Sequence, residues 1–406
     1  MNNQAFKPRR QFSGRSGRSS TSSFRNRSFR TNKRAPSVDI NIARFVSKAK
    51  GVEVEKPYEP ANKFVDFMIS GKLKNNILTK GYSLPTPIQD KAIPEVLSGK
   101  DIIGIANTGT GKTAAFLIPL IDKVMKDRRE KVLIMAPTRE LALQIQEEMN
   151  GFAMFLNIYS AICVGGAGIG SQLSALRRHP NFVIGTPGRL KDLAMRKALH
   201  LDEYANLVLD EADRMLDMGF LPEIKALLSR LPEERQSLFF SATMTPEIEK
   251  LISEFSKNPV TVSVKMRDTS ANIDQDVIKV ERGENKIDKL HDLLLKKEFN
   301  KVLVFGRTKH GVENLSVALN DRGFKAVSIH GDKTQSNRQR ALKAFKENVA
   351  QIMVATDVAA RGLDIPNVTH VINFDLPSTY DDYIHRIGRT GRAANKGNAL
   401  TFVEVR

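Results

Sequence analysis

The 406-residue chain is 41 % hydrophobic and 27 % charged, with a formal net charge of +18. That balance suits a globular protein long enough for two sizeable domains and excludes a fibre or a small disulfide scaffold. One cysteine, Cys163, rules out an intramolecular disulfide and implies a reducing compartment; no apolar run approaches membrane-span length.

The seven histidines are scattered and never fall with Cys or Glu at metal-ligand spacing, so a protein-held zinc site is not expected. No apolar signal core follows the N-terminus, and the expected localisation is cytoplasmic, with no membrane partner.

Ten of the positive charges fall in residues 1–38, which hold no Asp or Glu, so the rest of the chain carries +8 of the +18. This opening stretch is rich in Ser, Arg, Asn and Gly, cannot bury a core and is expected to be disordered. Phe6, Phe12, Phe24 and Phe29 interrupt the arginines, a mixture that suits loose nucleic-acid binding through phosphates and stacked bases. A solubilising tail and an organelle transit peptide are the alternatives; the glycines and the missing amphipathic pattern count against transit. Residues 39–61 read as a lead-in, with a short helix expected at Ile40–Ala49.

From Phe64 the chain runs through a helix at Gly71–Thr79 to Gly81-Tyr82 and a stiff Pro85-Thr86-Pro87 turn before Gln89. Proline-fixed geometry suits reading a small flat ligand. Gln89 offers an acceptor and a donor side by side, matching adenine N6 and N7, and Tyr82 can stack on the ring. A plain helix–loop–helix is the other account of this stretch.

The segment IIGIANTGTGKTAAF (102–116) reads as a buried strand, a glycine turn and a helix start. Ala106, Asn107, Thr108, Gly109, Thr110 and Gly111 form a loop whose N–H groups cradle phosphates at the helix's positive end. On that reading Lys112 reaches the terminal phosphates and the Thr113 hydroxyl holds Mg2+; an ordinary strand–turn–helix with a surface lysine is the other account. The generic pattern has Gly where Ala106 stands. Further apolar runs at Val132–Ala136, Tyr159–Val164, Phe182–Gly185, Asn206–Leu209 and Ser237–Phe240 alternate with amphipathic helices, which implies a doubly wound parallel sheet. Polar clusters fall at the strand ends, where such sheets bind ligands. Asp210 and Glu211 follow one strand: Asp210 is assigned to magnesium and Glu211 to activating water. Gly165–Gly170 has the wrong spacing for a dinucleotide fingerprint.

The rhythm lapses over 264–272, a linker, and resumes near Asp276 with runs at Val302–Phe305, Ala326–Ile329, Ile352–Ala355, Val368–Asn373 and Asn398–Val403. This second α/β unit has no glycine-lysine loop. Arg386, Arg389 and Arg392 recur around two glycines near its end. A solvated basic turn is one account; the other has Arg389 and Arg392 reaching the γ-phosphate from across an interdomain cleft, which makes hydrolysis conditional on closure.

Taken together, GYSLPTPIQ (81–89), ANTGTGKT (106–113), PTREL (137–141), Asp210-Glu-Ala-Asp213, TPGR (186–189), SAT (241–243), TDVAARGLD (356–364) and HRIGRTGR (385–392) resemble the DEAD-box ATP-dependent RNA helicases of superfamily 2. Asn107 and Thr110 stand where that family often has Gln and Ser. The resemblance implies an α/β fold of two tandem RecA-like parallel-sheet domains: 62–263, with an adenine-recognition segment at 62–90, and 273–406. It implies that Phe64, Tyr82 and Gln89 recognise adenine and that Asp364 contacts the ribose. It also implies that Ser241 and Thr243 couple hydrolysis to unwinding, with His385 as hydrogen-bond partner near the acidic motif. By the same resemblance Pro137, Thr138, Arg139, Gly166, Thr186, Pro187, Gly188 and Arg189 contact RNA on the first domain, and Thr308, Gln335, Arg338 and Thr356 on the second. Such a surface reads phosphates and 2′-hydroxyls, so sequence specificity is expected to be low. The implied activity is RNA-stimulated ATP hydrolysis with local duplex unwinding. Intact Glu211, Ser241, Thr243, Arg389 and Arg392 favour turnover over an ATP-gated RNA clamp, and the adenine-reading segment argues against a DNA-directed translocase.

Overall fold

The computed structural model describes residues 45–48, 58–107, 109–264, 272–360, 365–391 and 396–405. The basic tail and three expected site residues, Thr108, Asp364 and Arg392, lie outside the described residues. So does most of the expected linker.

Two parallel sheets organise the chain. The first contains β1 (Ile102–Ile105), β2 (Val132–Met135), β3 (Ser160–Cys163), β4 (Phe182–Gly185), β5 (Asn206–Leu209), β6 (Gln236–Ser241) and β7 (Val260–Ser263), in the order β3-β4-β2-β5-β6-β1-β7. The second contains β8 (Ile273–Val280), β9 (Val302–Phe305), β10 (Ala326–Ile329), β11 (Ile352–Ala355), β12 (His370–Asn373) and β13 (Gly397–Glu404), in the order β10-β11-β9-β12-β13-β8. Strands such as β2, β4, β5 and β9 are continuous apolar runs because helices cover both faces of a parallel sheet. Alternate residues serve opposite cores: Val132 and Ile134 pack with Phe116, while Leu133 and Met135 pack with Leu193.

The helices that position the site are α1 (Gly71–Thr79), α2 (Pro87–Leu97), α3 (Lys112–Lys126), α4 (Arg139–Phe152), α5 (Ile169–Leu176), α6 (Pro187–Met195), α7 (Ala212–Asp217), α8 (Leu221–Leu228) and α9 (Pro246–Phe255) around the first sheet. Around the second are α10 (Lys286–Leu294), α11 (Lys309–Asp321), α12 (Gln335–Lys346), α13 (Asp357–Ala360) and α14 (Tyr380–Ile387). Several start on a threonine cap: Thr138 accepts from Leu141 N–H, Thr308 from Gly311 N–H and Thr379 from Asp382 N–H.

β7 and β8 are not among the apolar runs expected from the sequence, although both fall inside the expected domain bounds. β7 is short and only partly buried, and β8 alternates buried and exposed positions at its start, Ile273 inward and Asp274 outward. Both are outer strands packed on one face, so neither has the continuous apolar run that marks a central strand. Of the short helix expected at Ile40–Ala49, only 45–48 lies among the described residues; Phe45 there is 3₁₀-helical and the helix does not continue past it. There Ser47 bridges Gln275 in antiparallel fashion, because pairing with the free edge of β8 outweighs weak local helix preference. No helix among the described residues is long and apolar enough to cross a membrane.

Candidate nucleotide site and nucleic-acid interface

β1 delivers the glycine loop to the carboxyl edge of the first sheet, where Ala106 N–H donates to the Ser241 carbonyl of the neighbouring strand (3.0 Å). Gly109 and Gly111 take φ of +83° and +93°, left-handed values that a side chain would strain, and Gly111 caps α3. Thr110 Oγ1 donates to the Asn107 carbonyl (2.8 Å), closing the loop on itself. Lys112 is 6 % exposed, and its ammonium donates to the Ala106 carbonyl (2.9 Å) across the empty span of the loop. Thr113 stands beside it. Gly109, Gly111, Lys112, Thr113, Tyr82, Asp210 and Glu211 line one cleft of about 430 Å³.

The acidic pair enters from β5. Its last register bond, Asp210 N–H to the Met135 carbonyl (3.0 Å), fixes where the strand stops. Glu211 then takes φ +53° as the residue before α7, a conformation that favours glycine. Its carboxylate is held by Arg214 Nη1 at 2.8 Å, with both side chains buried. Burial first, then the neighbouring Glu211 and Asp213, pushes the Asp210 carboxyl up to about 6, against the pull of Lys112 and of the Glu211 N–H. Asp213 ties this element to the end of β6: its Oδ2 accepts from Ala242 N–H (2.9 Å), Thr243 N–H (3.0 Å) and Thr243 Oγ1 (3.2 Å), and its own N–H donates to Ser241 Oγ (3.3 Å). Asp213 was not among the expected site residues; the signal available was the third acid of the tetrapeptide.

The adenine-side residues are placed differently from the expectation. Gln89 is 1 % exposed and both ends of its amide are engaged: Oε1 accepts from Thr86 N–H (2.9 Å), and Nε2 donates to the Gly111 carbonyl (3.1 Å). It therefore braces the phosphate loop. Phe64 is buried behind Tyr82, their rings edge-on at 5.9 Å, and does not face the cleft. The Tyr82 ring also meets Phe152 at 5.3 Å, and its hydroxyl donates to Glu148. The neighbouring Asp90 anchors the incoming chain through Tyr58 Oη (2.6 Å), Ala61 N–H (2.8 Å) and Asn62 Nδ2 (2.9 Å).

A second cleft, of about 530 Å³, opens along the same carboxyl edge. Pro137, Thr138, Arg139, Thr186, Gly188 and Arg189 of the first half line it together with Arg338, Gly331 and Val358 of the second. Arg139 lies over Gly166, where even a methyl group would clash with its guanidinium. Burial, then the nearby Arg338 and Arg189, lowers the Arg139 pKa, while Glu140 opposes them. Glu140 is the counter-ion of this cluster: it is 4 % exposed, pairs with Arg338 at 2.9 Å and lies 3.5 Å from Gln335 Nε2 across the two halves. Glu140 was not singled out, although it sits inside PTREL. Pro187, Gly166, Gln335, Thr308 and Thr356 lie outside the lining; Thr308 spends its hydroxyl capping α11. Arg338→Ala is expected to weaken RNA binding evenly across sequences and to lower the log–log salt slope by about one, measured by fluorescence titration.

On the second half, Arg386 is fully employed in structure. It donates to both Asp357 oxygens (2.6 and 2.7 Å), to Asn373 Oδ1 (3.1 Å) and to the Asp375 carbonyl (2.6 Å), and its guanidinium lies over Phe305. His385 lies on α14, and Arg389 follows that helix, 4 % exposed. Neither lines the nucleotide cleft; among the described residues the second half reaches it through Lys346, which was not among the expected site residues. Among the described residues no group of three or more His, Cys, Asp or Glu could hold a metal ion.

Comparison with known proteins accounts for this arrangement. Residues 86–251 match the DEAD/DEAH box helicase family, and 285–394 match the helicase conserved C-terminal domain. The ATP-dependent RNA helicase CshA of Limosilactobacillus reuteri is 46 % identical over 343 residues, covering 84 % of this chain and 69 % of that protein. Across such curated relatives the chain spans about two thirds of their length. The solved structure of S. cerevisiae Dbp5 bound to RNA and ADP BeF3 aligns with a TM-score of 0.75 at 30 % identity, over 85 % of this chain and 90 % of that one. A DEAD box protein from Methanococcus jannaschii aligns with a TM-score of 0.50 at 38 % identity, over 84 % and 93 %. The glycine loop under β1, the acidic tetrapeptide under β5 and the matching relatives place this chain in the family of DEAD-box ATP-dependent RNA helicases.

Proposed function

We propose that the protein hydrolyses ATP in response to RNA and uses the cycle to separate short duplexes locally, with little regard to sequence. The observation that carries this reading is the arginine cleft: Arg139 and Arg189 from one sheet and Arg338 from the other converge beside Glu140. That backbone-binding groove is complete only when the two halves meet. A polymer lying in it favours their approach, and the same approach brings the second half toward the nucleotide cleft.

Lys112 leaves the Ala106 carbonyl to neutralise the β- and γ-phosphates, while loop N–H groups hold their oxygens. Tyr82 borders the base, and Gln89 keeps the loop in register with it. Glu211, aimed by Arg214, orients water toward the γ-phosphorus and takes its proton as the bond to the bridging oxygen breaks. The donor set fits Mg2+: one buried carboxylate that favours a cation beside it and the Thr113 hydroxyl, with no larger ligand cluster among the described residues. Thr113 and Asp210 would hold magnesium, which would neutralise developing charge during hydrolysis. Arg389 acts on the γ-phosphate from the second half, and Asp213 transmits the state of the acidic element to Ser241 and Thr243.

The test is separation of labelled RNA duplexes of roughly one and roughly three helical turns. Local opening without long translocation predicts ATP-dependent release of the short duplex and little of the long one. Equal rates for both would overturn the local reading, and tight ATP-dependent binding without separation would favour a clamp.

A further inference from the structure

Phe45 precedes every motif discussed above, yet it is 1 % exposed. Its ring meets Tyr383 with centroids 4.6 Å apart and planes inclined by 60°. Two residues on, Ser47 and Gln275 exchange backbone hydrogen bonds: Ser47 N–H donates to the Gln275 carbonyl (3.1 Å), and Gln275 N–H to the Ser47 carbonyl (2.8 Å). Gln275 lies on β8, the outer strand of the second sheet, whose free edge offers such groups. Val46 between them is 53 % exposed, as strand alternation requires. The Gln275 side chain completes the unit by accepting the Tyr383 hydroxyl at 2.8 Å.

That unit borders the arginine element on two sides. Tyr383 belongs to α14, which leads into Arg389. Just beyond, Gly391 takes φ +69°, and a β-carbon there would come within 2.8 Å of the Ile273 side chain on β8. Arg389 is thus flanked by two contacts, one to Tyr383's helix before it and one to β8 after it. β8 itself is held by β13 on one side and by the Phe45–Ser47 stretch on the other.

We infer that Phe45 is a positioning residue for Arg389, acting through Tyr383 and β8. The inference rests on the proposed role of Arg389 at the γ-phosphate. Phe45 touches no part of the nucleotide cleft. Its ring fills the space behind α14, and its segment fixes the edge strand on which the turn at Gly391 rests. A displacement of about 1 Å at a group that stabilises a transition state costs up to ~10²-fold in rate. Ground-state ATP binding is built on the first half and is unaffected.

The experiment compares RNA-stimulated ATP hydrolysis by the full chain, Phe45→Ala, Phe45→Leu, Arg389→Ala and the Phe45→Ala/Arg389→Ala double variant, each well below its melting temperature. The expected result is a fall in kcat of roughly ten-fold for Phe45→Ala with an unchanged KM for ATP, and substantial recovery with Phe45→Leu. Because Phe45 acts through Arg389, the double variant is expected to be no slower than Arg389→Ala alone. Full kcat in Phe45→Ala, or losses that multiply in the double variant, would overturn the inference. Wild-type rates in Arg389→Ala would instead remove the role of Arg389 on which it rests.

Discussion

Arg389→Ala is expected to lower RNA-stimulated ATP hydrolysis by about 10³–10⁵-fold, the range associated with an arginine acting on a transferring phosphoryl group. The effect is expected in kcat, because the proposed phosphate loop, Lys112 and Tyr82, which line the nucleotide cleft, all lie on the first half. Two neighbouring anchors do not involve the Arg389 side chain: Thr390 Oγ1 donates to the Val368 carbonyl (2.6 Å), and Arg386 clamps Asp357. ATP affinity measured with a fluorescent analogue is expected to stay near that of the wild type. Loss of kcat together with a comparable loss of ATP affinity would assign Arg389 to ground-state binding.

Glu211→Gln is expected to slow hydrolysis by about 10²–10⁴-fold, the usual contribution of a positioned general base. The amide keeps an oxygen for Arg214, so the buried pair loses its charge on one side without leaving the guanidinium unbonded. Some loss of thermal stability is expected, since Arg214 is nearly as buried as Glu211. Binding of ATP and RNA is expected to persist, giving a long-lived ATP-dependent RNA complex detectable by fluorescence anisotropy. A variant that hydrolyses ATP normally would move the water-activating role away from Glu211.

Much of this was legible in the sequence because it rests on local pattern. Central strands such as Val132–Met135 and Val302–Phe305 are unbroken apolar runs, and each is followed at once by the polar residues that its carboxyl end presents. The phosphate loop is legible for the same reason: glycine at 109 and 111 is what left-handed backbone at those positions demands.

What was not legible has a different cause. β7 and β8 are outer strands, each paired with one strand of its sheet, and nothing in VTVS or IDQDVIKV announces which strand will receive them. Arg386 was left outside the expected pair Arg389 and Arg392, and it is held by Asp357, Asn373 and Asp375, partners that only the fold brings together. Gln89 was read as a base-reading amide; its bonds to Thr86 and Gly111, which brace the loop, could not be read from spacing. Glu140, Asp213 and Lys346 were missed because their importance comes from contacts distant in sequence or from lining a cleft, not from spacing.

The most direct measurement is steady-state ATP hydrolysis by the full chain with no nucleic acid, with single-stranded RNA and with single-stranded DNA of the same sequence. Strong stimulation by RNA and little by DNA is the predicted result, since the groove around Arg139, Arg189 and Arg338 is assigned to phosphates and 2′-hydroxyls. Hydrolysis that ignores RNA, or that responds equally to DNA, would contradict the coupling of the arginine groove to the nucleotide cleft.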